Sequence, residues 1–342
     1  MVTLKEIAKA VGVSSATVSR VLNFDSTLSI TESKRQAIIE TAEALNYATP
    51  RARNRARQQG LSKIALVHFL RPDQELIDPY YVGLRLGIES RCQALKIRTI
   101  KVYHSESMPD ASVLQSASGI IAIGRHEDDE IDWMKRMNPN MVFADFAPEG
   151  DEYDSVECDQ GLAMHKLLQA LTEAGYERIG FVGWDDVYNG KARSFSEKRA
   201  RVYRQWMLAH GRFDERICRI EDNTVQSGYR MTGEILALPD RLEALITCND
   251  NMAVGAYRAI AELGLSIPED IAVASFNDIP AAQFLNPPLT TVRLPSEEIG
   301  EAAVELLLER AAGRDLTKHI TLASELKWRA STRPLPRQIA SR

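Results

Sequence analysis

Thr3-Leu-Lys-Glu-Ile-Ala-Lys-Ala-Val-Gly-Val-Ser-Ser-Ala-Thr-Val-Ser-Arg-Val-Leu-Asn23 opens the chain and decides what kind of protein it is. Thr3 and Glu6 have the spacing of a capping box, which predicts a helix starting at Leu4. Leu4, Ile7, Ala8 and Val11 recur at helical spacing and form an inward face. Gly12 permits a sharp turn. Ser14 then caps a second helix through Leu22, with Val18, Val21 and Leu22 inward. That leaves Ser15, Ala16, Ser19 and Arg20 on the outer face. A short helix with small residues and one arginine on its outer face is shaped to enter the major groove of DNA. A small three-helix module without a DNA role has the same periodicity.

Charge favours the DNA reading. The chain of 342 residues carries a net charge of −5, yet residues 1–60 carry +4 and the remainder −9. A basic head on an acidic body places a polyanion contact in the head. A third helix is expected from about Glu32 to Asn46 after a Thr31 cap, with Ala37, Ile38, Thr41, Ala42 and Leu45 against the first two. The stretch Tyr47-Ala-Thr-Pro-Arg-Ala-Arg-Asn-Arg-Ala-Arg-Gln-Gln-Gly60 is too polar to form a core. It reads as a linker, or as a hinge whose Arg51, Arg53, Arg55 and Arg57 meet phosphates or a minor groove.

From Ser62 strands alternate with helices. Strands are expected at Ile64–Leu70, Ile97–Val102, Gly119–Ile123, Met141–Asp145, Arg178–Gly183, Ala244–Thr247 and Ile271–Phe276. Helices are expected at Tyr81–Leu95 and near 160–174, 195–210, 226–237, 251–263 and 296–312. This alternation predicts an α/β body of doubly wound parallel sheets, and about 270 residues of it suggest two subdomains. The expected organisation is a helix-turn-helix domain over 1–47, a hinge over 48–60, an effector-binding and dimerisation core over 61–333 and a tail over 334–342. From Leu326 onward there are no apolar heptads, and Pro334 and Pro336 interrupt, so no coiled coil is expected there.

Hydrophobic residues make up 44% of the chain, enough for a large core. No apolar run approaches the ~18 residues of a membrane span, and no signal pattern precedes the first helix, so a cytoplasmic protein is expected. Cys92, Cys158, Cys218 and Cys248 are scattered and read as buried small hydrophobes. The six histidines form no ligand pair, and neither metal nor cofactor is assigned. Gly183…Gly190-Lys191 is not a phosphate loop, because six residues separate the glycines and Ala192 follows the lysine. Neither a nucleophile-elbow nor a dinucleotide motif occurs. A glycosidase would have no use for the head, and a free sugar-binding protein would need an export signal.

The first 23 residues resemble the LacI/GalR family of bacterial transcription regulators, departing where Val11 replaces the usual alanine. The body resembles the same family through Cys248-Asn-Asp-Asn-Met-Ala-Val-Gly-Ala-Tyr-Arg-Ala-Ile-Ala-Glu-Leu-Gly-Leu-Ser-Ile-Pro-Glu-Asp-Ile-Ala-Val-Ala-Ser-Phe-Asn-Asp-Ile279 and Pro288-Leu-Thr-Thr-Val292. Asp78-Pro-Tyr-Tyr81, Gly87-Ile-Glu89 and Asn277-Asp-Ile-Pro280 look most like its β-galactoside branch. The resemblance implies a body akin to periplasmic binding proteins, a homodimer, a palindromic operator, and a small sugar effector bound between two subdomains.

In the head, the resemblance implies DNA contacts from Ser14, Ser15, Ala16, Thr17, Ser19, Arg20 and Asn23, continued in the hinge by Arg51, Arg53, Arg55 and Ala56. Lac-type and purine-type members wedge a leucine into the minor groove. Ala56 stands at that position here, or Arg55 if the register slips by one, and arginine insertion is the expected substitute.

Ligands of doubly wound sheets bind at the carboxyl ends of strands. That places Asp145, Asn249, Asp250, Asn277 and Asp278 at candidate mouths, where amides and carboxylates suit neighbouring hydroxyls. Arg199, on a helix opening the second subdomain, offers a bidentate fork. Tyr80, in the loop after the first strand, offers a face for a sugar ring. Of these, Asp145, Arg199, Asn249 and Asn277 match inducer-contact positions of lac-type members, and Tyr80 matches more loosely. Asp250 and Asp278 read equally well as turn or cap residues. Leu294 replaces a contacting glutamine. A sugar that releases DNA and a corepressor that is required for DNA binding both fit this pattern.

Overall fold

The computed structural model describes residues 3–22, 25, 28–45, 47, 61–103, 111–184, 187–188, 191–192 and 197–335. Asn23, Asn46 and the expected hinge over 48–60, with Arg51, Arg53, Arg55, Ala56 and Arg57, lie outside the described residues. Among the described residues no helix is long and apolar enough to cross a membrane.

The head is three helices, Leu4–Val11, Ser15–Leu22 and Glu32–Ala44. The capping box forms: Thr3 Oγ1 accepts from Glu6 N, and Glu6 Oε2 accepts from Thr3 N at 2.7 Å. Gly12 ends the first helix at φ 70°, in the left-handed region where a side chain would be strained. Ile7, Ala8, Val18, Val21, Ile38 and Ala42 are buried together, with Leu4, Val11 and Leu22 packed against them. The third helix stops two residues early, and Leu45 is 38% exposed instead of packed.

The chain divides into two compact units, residues 1–157 with 296–320 and residues 158–295 with 321–342, so it passes between them three times. The first holds β1 (Lys63–His68), β2 (Arg98–Tyr103), β3 (Gly119–Ile123), β4 (Met141–Ala144), β5 (Asp154–Cys158) and β13 (His319–Leu322). Their order is β13-β5-β4-β3-β1-β2, and neighbours among β1 to β5 pair in parallel. One apolar cluster joins Ala65, Val67, Ile120, Ala122, Met141 and Phe143 of the sheet to Leu114, Ile131 and Met134 of the flanking helices. Helices Pro79–Leu95 and Ser296–Ala311 pack tightly on each other. A Cβ at Gly87 would overlap the Glu297 backbone, and one at Gly300 would overlap Leu84 and Ile88, so only glycine permits this approach.

The second unit holds β6 (Ile179–Trp184), β9 (Cys218–Glu221), β10 (Ala244–Thr247), β11 (Ala272–Asn277), β12 (Thr290–Arg293) and β14 (Glu325–Lys327), ordered β14-β12-β11-β10-β6-β9. All pairs in this sheet are parallel except β12 with β14, and β7 (Val187–Tyr188) and β8 (Lys191–Ala192) form a separate antiparallel pair. Glycine again sets helix contact: Gly228 and Gly255 bring Val225–Leu236 and Asp250–Glu262 backbone to backbone.

The apolar strand runs fall where the sequence places them. The unexpected elements are polar. β5 carries a fully buried Asp154, neutralised by Arg310 (2.6 Å) and Arg314 (2.8 Å) and by the Lys318 backbone N–H (2.7 Å). β12 is rich in threonine, and β9, β13 and β14 lie at the sheet edges, where alternation is loose. Leu326, where the stretch without apolar heptads begins, lies in β14, and Ser331 and Thr332 beyond it are buried. All four cysteines are buried and reduced, and burial pushes the Cys92 and Cys218 thiols up to about 12.

Candidate functional site

The second head helix begins with its polar residues already engaged. Ser14 Oγ accepts from Thr17 N at 3.0 Å and shares a hydrogen bond with Thr17 Oγ1 at 2.8 Å. Ala16 is exposed, while Ser15, Thr17 and Ser19 are half-buried. Arg20 projects from the last turn, and its Nε donates to Asp25 Oδ2 at 2.7 Å. Asp25 lies beyond the helix end, outside any helical spacing, so no sequence pattern marks it.

In the first unit the strand mouth is built around Asp145. It follows β4 at φ 64° and is anchored by its N–H donating to the Val156 carbonyl at 2.8 Å. Its carboxylate accepts from Tyr80 Oη at 2.7 Å and Tyr81 Oη at 3.0 Å. Tyr80 is not in a loop. It lies in the first turn of the helix Pro79–Leu95, whose cap Asp78 accepts from Tyr80 N, and it is only 5% exposed. Its bond to Asp145 explains the burial, because a buried phenol needs an acceptor. Tyr81 was the missed partner; it is the next residue in the quoted Asp78-Pro-Tyr-Tyr81.

Aromatic rings continue this wall. Tyr81 meets Phe69 edge-on at 5.0 Å, and Phe69 stacks on His68. His68 is buried, and its Nδ1 accepts from Leu70 N. Burial is the main cause that pulls its pKa down to about 4, against the opposing pull of Glu75, so the ring is neutral.

In the second unit Arg199 is the centre. It lies on the helix Lys198–Ala209, which is not the opening helix of the unit; Gln160–Glu173 comes first. It is 6% exposed, donates from Nε to Glu197 Oε1 at 2.8 Å and from a terminal nitrogen to the Cys248 carbonyl, and lies 5.5 Å over the Phe276 ring. Arg199 is thereby tied to the ends of β10 and β11. Asn249, next after Cys248, caps the helix Asp250–Glu262 through Met252 N and donates from Nδ2 to Asn223 Oδ1. Asn223 was not read from the sequence; its only signal is its place just before the Thr224 helix cap. Asn277 ends β11 at φ 105°.

Two strand-end acids have structural work. Asp278 pairs with Arg329 at 2.6 Å. Asp250 is fully buried; its Oδ1 accepts from Thr291 Oγ1 and its Oδ2 from Ile279 N, each at 2.8 Å. Burial pushes Asp250 up to about 7. Leu294 is buried as well. Each unit thus brings its own candidates together: Tyr80 and Asp145 in the first, Arg199 and the β10 end that Asn249 follows in the second, with Asn277 at the end of neighbouring β11.

The sequence pattern of bacterial regulatory proteins of the lacI family matches residues 3–50, and that of the periplasmic binding protein-like domain matches residues 168–332. The HTH-type transcriptional repressor MelR of Bacillus subtilis (strain 168) is 34% identical over 340 residues, covering 97% of this chain and 97% of that protein. The lactose operon repressor of Rhizobium radiobacter is 59% identical over 108 residues, which is 32% of this chain and 96% of that protein. Among solved structures, the lac repressor dimer bound to operator and the anti-inducer ONPF aligns with a TM-score of 0.67 at 23% identity, covering 97% of this chain and 99% of that chain. At that identity the likeness concerns the fold. With a helix-turn-helix head and two parallel-sheet units in one chain, this protein belongs to the lacI family of DNA-binding bacterial transcriptional regulators.

Proposed function

We propose that the protein represses sugar-utilisation genes, binding a palindromic operator as a homodimer and leaving it when a β-galactoside binds. The observation that carries this reading is the convergence of Arg199, Asn249 and Asn277 at the carboxyl ends of β10 and β11, in a chain whose head presents Arg20. Amides and a guanidinium at strand ends suit the hydroxyls of a sugar. In the first unit, Tyr80, Tyr81 and Asp145 form a separate group of two rings and a carboxylate at a strand end. The identity shared with a lactose operon repressor supports the galactoside. Two-fold operators call for a two-fold protein, which supports the dimer. Residues 1–47 form the reading head in this scheme, 48–60 the hinge, 61–333 the effector-binding and dimerisation core and 334–342 a tail. Within the head and hinge, Ser14, Thr17 and Asn23 hold phosphates, Ser15, Ala16, Ser19 and Arg20 face bases, and Arg51, Arg53, Arg55 and Ala56 follow the groove.

The test is fluorescence anisotropy on a palindromic duplex that the protein selects from a randomised pool, titrated with lactose, allolactose, galactose and unrelated sugars. Coupling of about 1–3 kcal/mol would weaken DNA binding roughly 5- to 150-fold with the right sugar. Tighter binding with sugar would make the ligand a corepressor. No response to any sugar would overturn the reading.

A further inference from the structure

The Arg20–Asp25 pair lies at the end of the second head helix, on the face proposed above to meet DNA, and repression does not by itself call for it. A carboxylate there repels phosphates and so opposes affinity. Contacts with Arg20 nevertheless hold it in place. The Asp25 backbone N–H donates to the Arg20 carbonyl at 3.0 Å, which folds the chain back just past the helix. The side chain then accepts from Arg20 Nε at 2.7 Å. Both partners are partly exposed, at 47% and 31%, where a salt bridge adds little to folding. Its effect is therefore on orientation. An arginine side chain samples many rotamers and otherwise settles on phosphates, which carry no sequence information. A guanidinium held through Nε is turned so that its two terminal nitrogens can address the O6 and N7 of a guanine as a fork.

We propose that Asp25 is a positioning and specificity-determining residue that aims the Arg20 guanidinium at a guanine edge and disfavours its capture by phosphates. This rests on the reading that Arg20 contacts a base.

The test uses the full-length protein and a duplex pool randomised over about two helical turns. Base preferences are sequenced for wild type, Arg20→Ala, Asp25→Ala and Asp25→Asn, and affinities for a scrambled duplex are measured over a salt series. Arg20→Ala should flatten the preference at one symmetric G·C pair. Asp25→Ala should weaken the preference at that same pair roughly tenfold and leave the other positions sharp. On the scrambled duplex Asp25→Ala should bind more tightly, with a salt slope steeper by about one unit. Asp25→Asn keeps the shape and an acceptor oxygen, so it folds if Asp25→Ala does not, and it should fall between the two. A merely structural aspartate would change the unfolding temperature without changing base preference. If both Asp25 variants keep the wild-type preference while Arg20→Ala loses it, Asp25 does not position Arg20. If Arg20→Ala itself keeps the preference, the base-reading role of Arg20 is wrong and the proposal falls with it.

Discussion

Asp250→Asn should stabilise the protein, and more so at higher pH. Asp250 is fully buried among Thr291, Ser275 and the Ile279 backbone N–H, with Asp278 nearby adding repulsion. Burial raises its pKa from 3.8 to about 7. A group held above its unfolded value contributes stability that is complete below the unfolded pKa and is lost as pH rises towards the folded one. At about 1.4 kcal/mol per pH unit, the gap between 3.8 and about 7 corresponds to a loss on the order of 4 kcal/mol across that window. Asparagine never ionises. Its carbonyl can still accept from Ile279 N, and its amide can donate to the Thr291 or Ser275 hydroxyl, which rotates to accept. Any packing cost of the substitution is the same at every pH. By pH 5 roughly one unit of the window has been crossed, so about 2–3 kcal/mol remains. Urea unfolding of both proteins at pH 5 and pH 8, at constant ionic strength, measures it. The stability of Asp250→Asn minus that of wild type should rise by that amount. A difference that is flat or falls with pH would refute the assignment of a buried, proton-holding Asp250.

Arg199→Ala should leave sugar-free operator affinity intact and abolish the sugar response. It also removes the cation from the buried Glu197, so unit stability should fall by a few kcal/mol in urea. Release of operator at wild-type sugar concentrations would place the site elsewhere. Tyr80→Phe removes one of two phenols from Asp145 and should weaken sugar binding by about tenfold, read by calorimetry. Unchanged sugar affinity would make Tyr80 a packing residue only. Replacing Arg51, Arg53, Arg55 and Arg57 with glutamine should lower the salt slope of operator binding by roughly one unit per lost phosphate contact. An unaltered slope would remove the hinge from the interface.

Elements whose formation is local or apolar were readable. The head follows from a capping box, a glycine and two inward faces, and each forms as read. The apolar strands β3 and β10 carry the same limits in sequence and structure. β5 was not readable, because Asp154 and Glu157 make it look like a loop until Arg310 and Arg314 arrive from far along the chain. The candidate sites show the same limit. Strand ends gave Asp145, Asn249 and Asn277, but the partners Tyr81, Asn223 and Asp25 depend on side-chain directions that no periodicity encodes. Asp250 and Asp278 shared the strand-end signal, and only burial and pairing separate them from the candidates.

Asp154 also bears on the order in which the protein comes together on the ribosome. Its partners lie 156 to 164 residues downstream. When residue 157 has been made, β1 to β5 can pair, but the carboxylate has no cation. The stripe of Leu84 and Ile88 likewise has no cover until Ser296–Ala311 follows. In the interval the ribosome delivers all of the second unit except its closing segment, residues 321–342, which carries β14. Domains fold as their sequence emerges, so the unit encoded last can assemble while the one encoded first waits. A nascent chain stalled at residue 295 would therefore expose a sticky, half-built N-terminal unit beside a nearly finished neighbour. Truncations ending before residue 296 should fail not only through the second unit, which loses residues 321–342, but also through residues 1–157, whose sequence they leave whole.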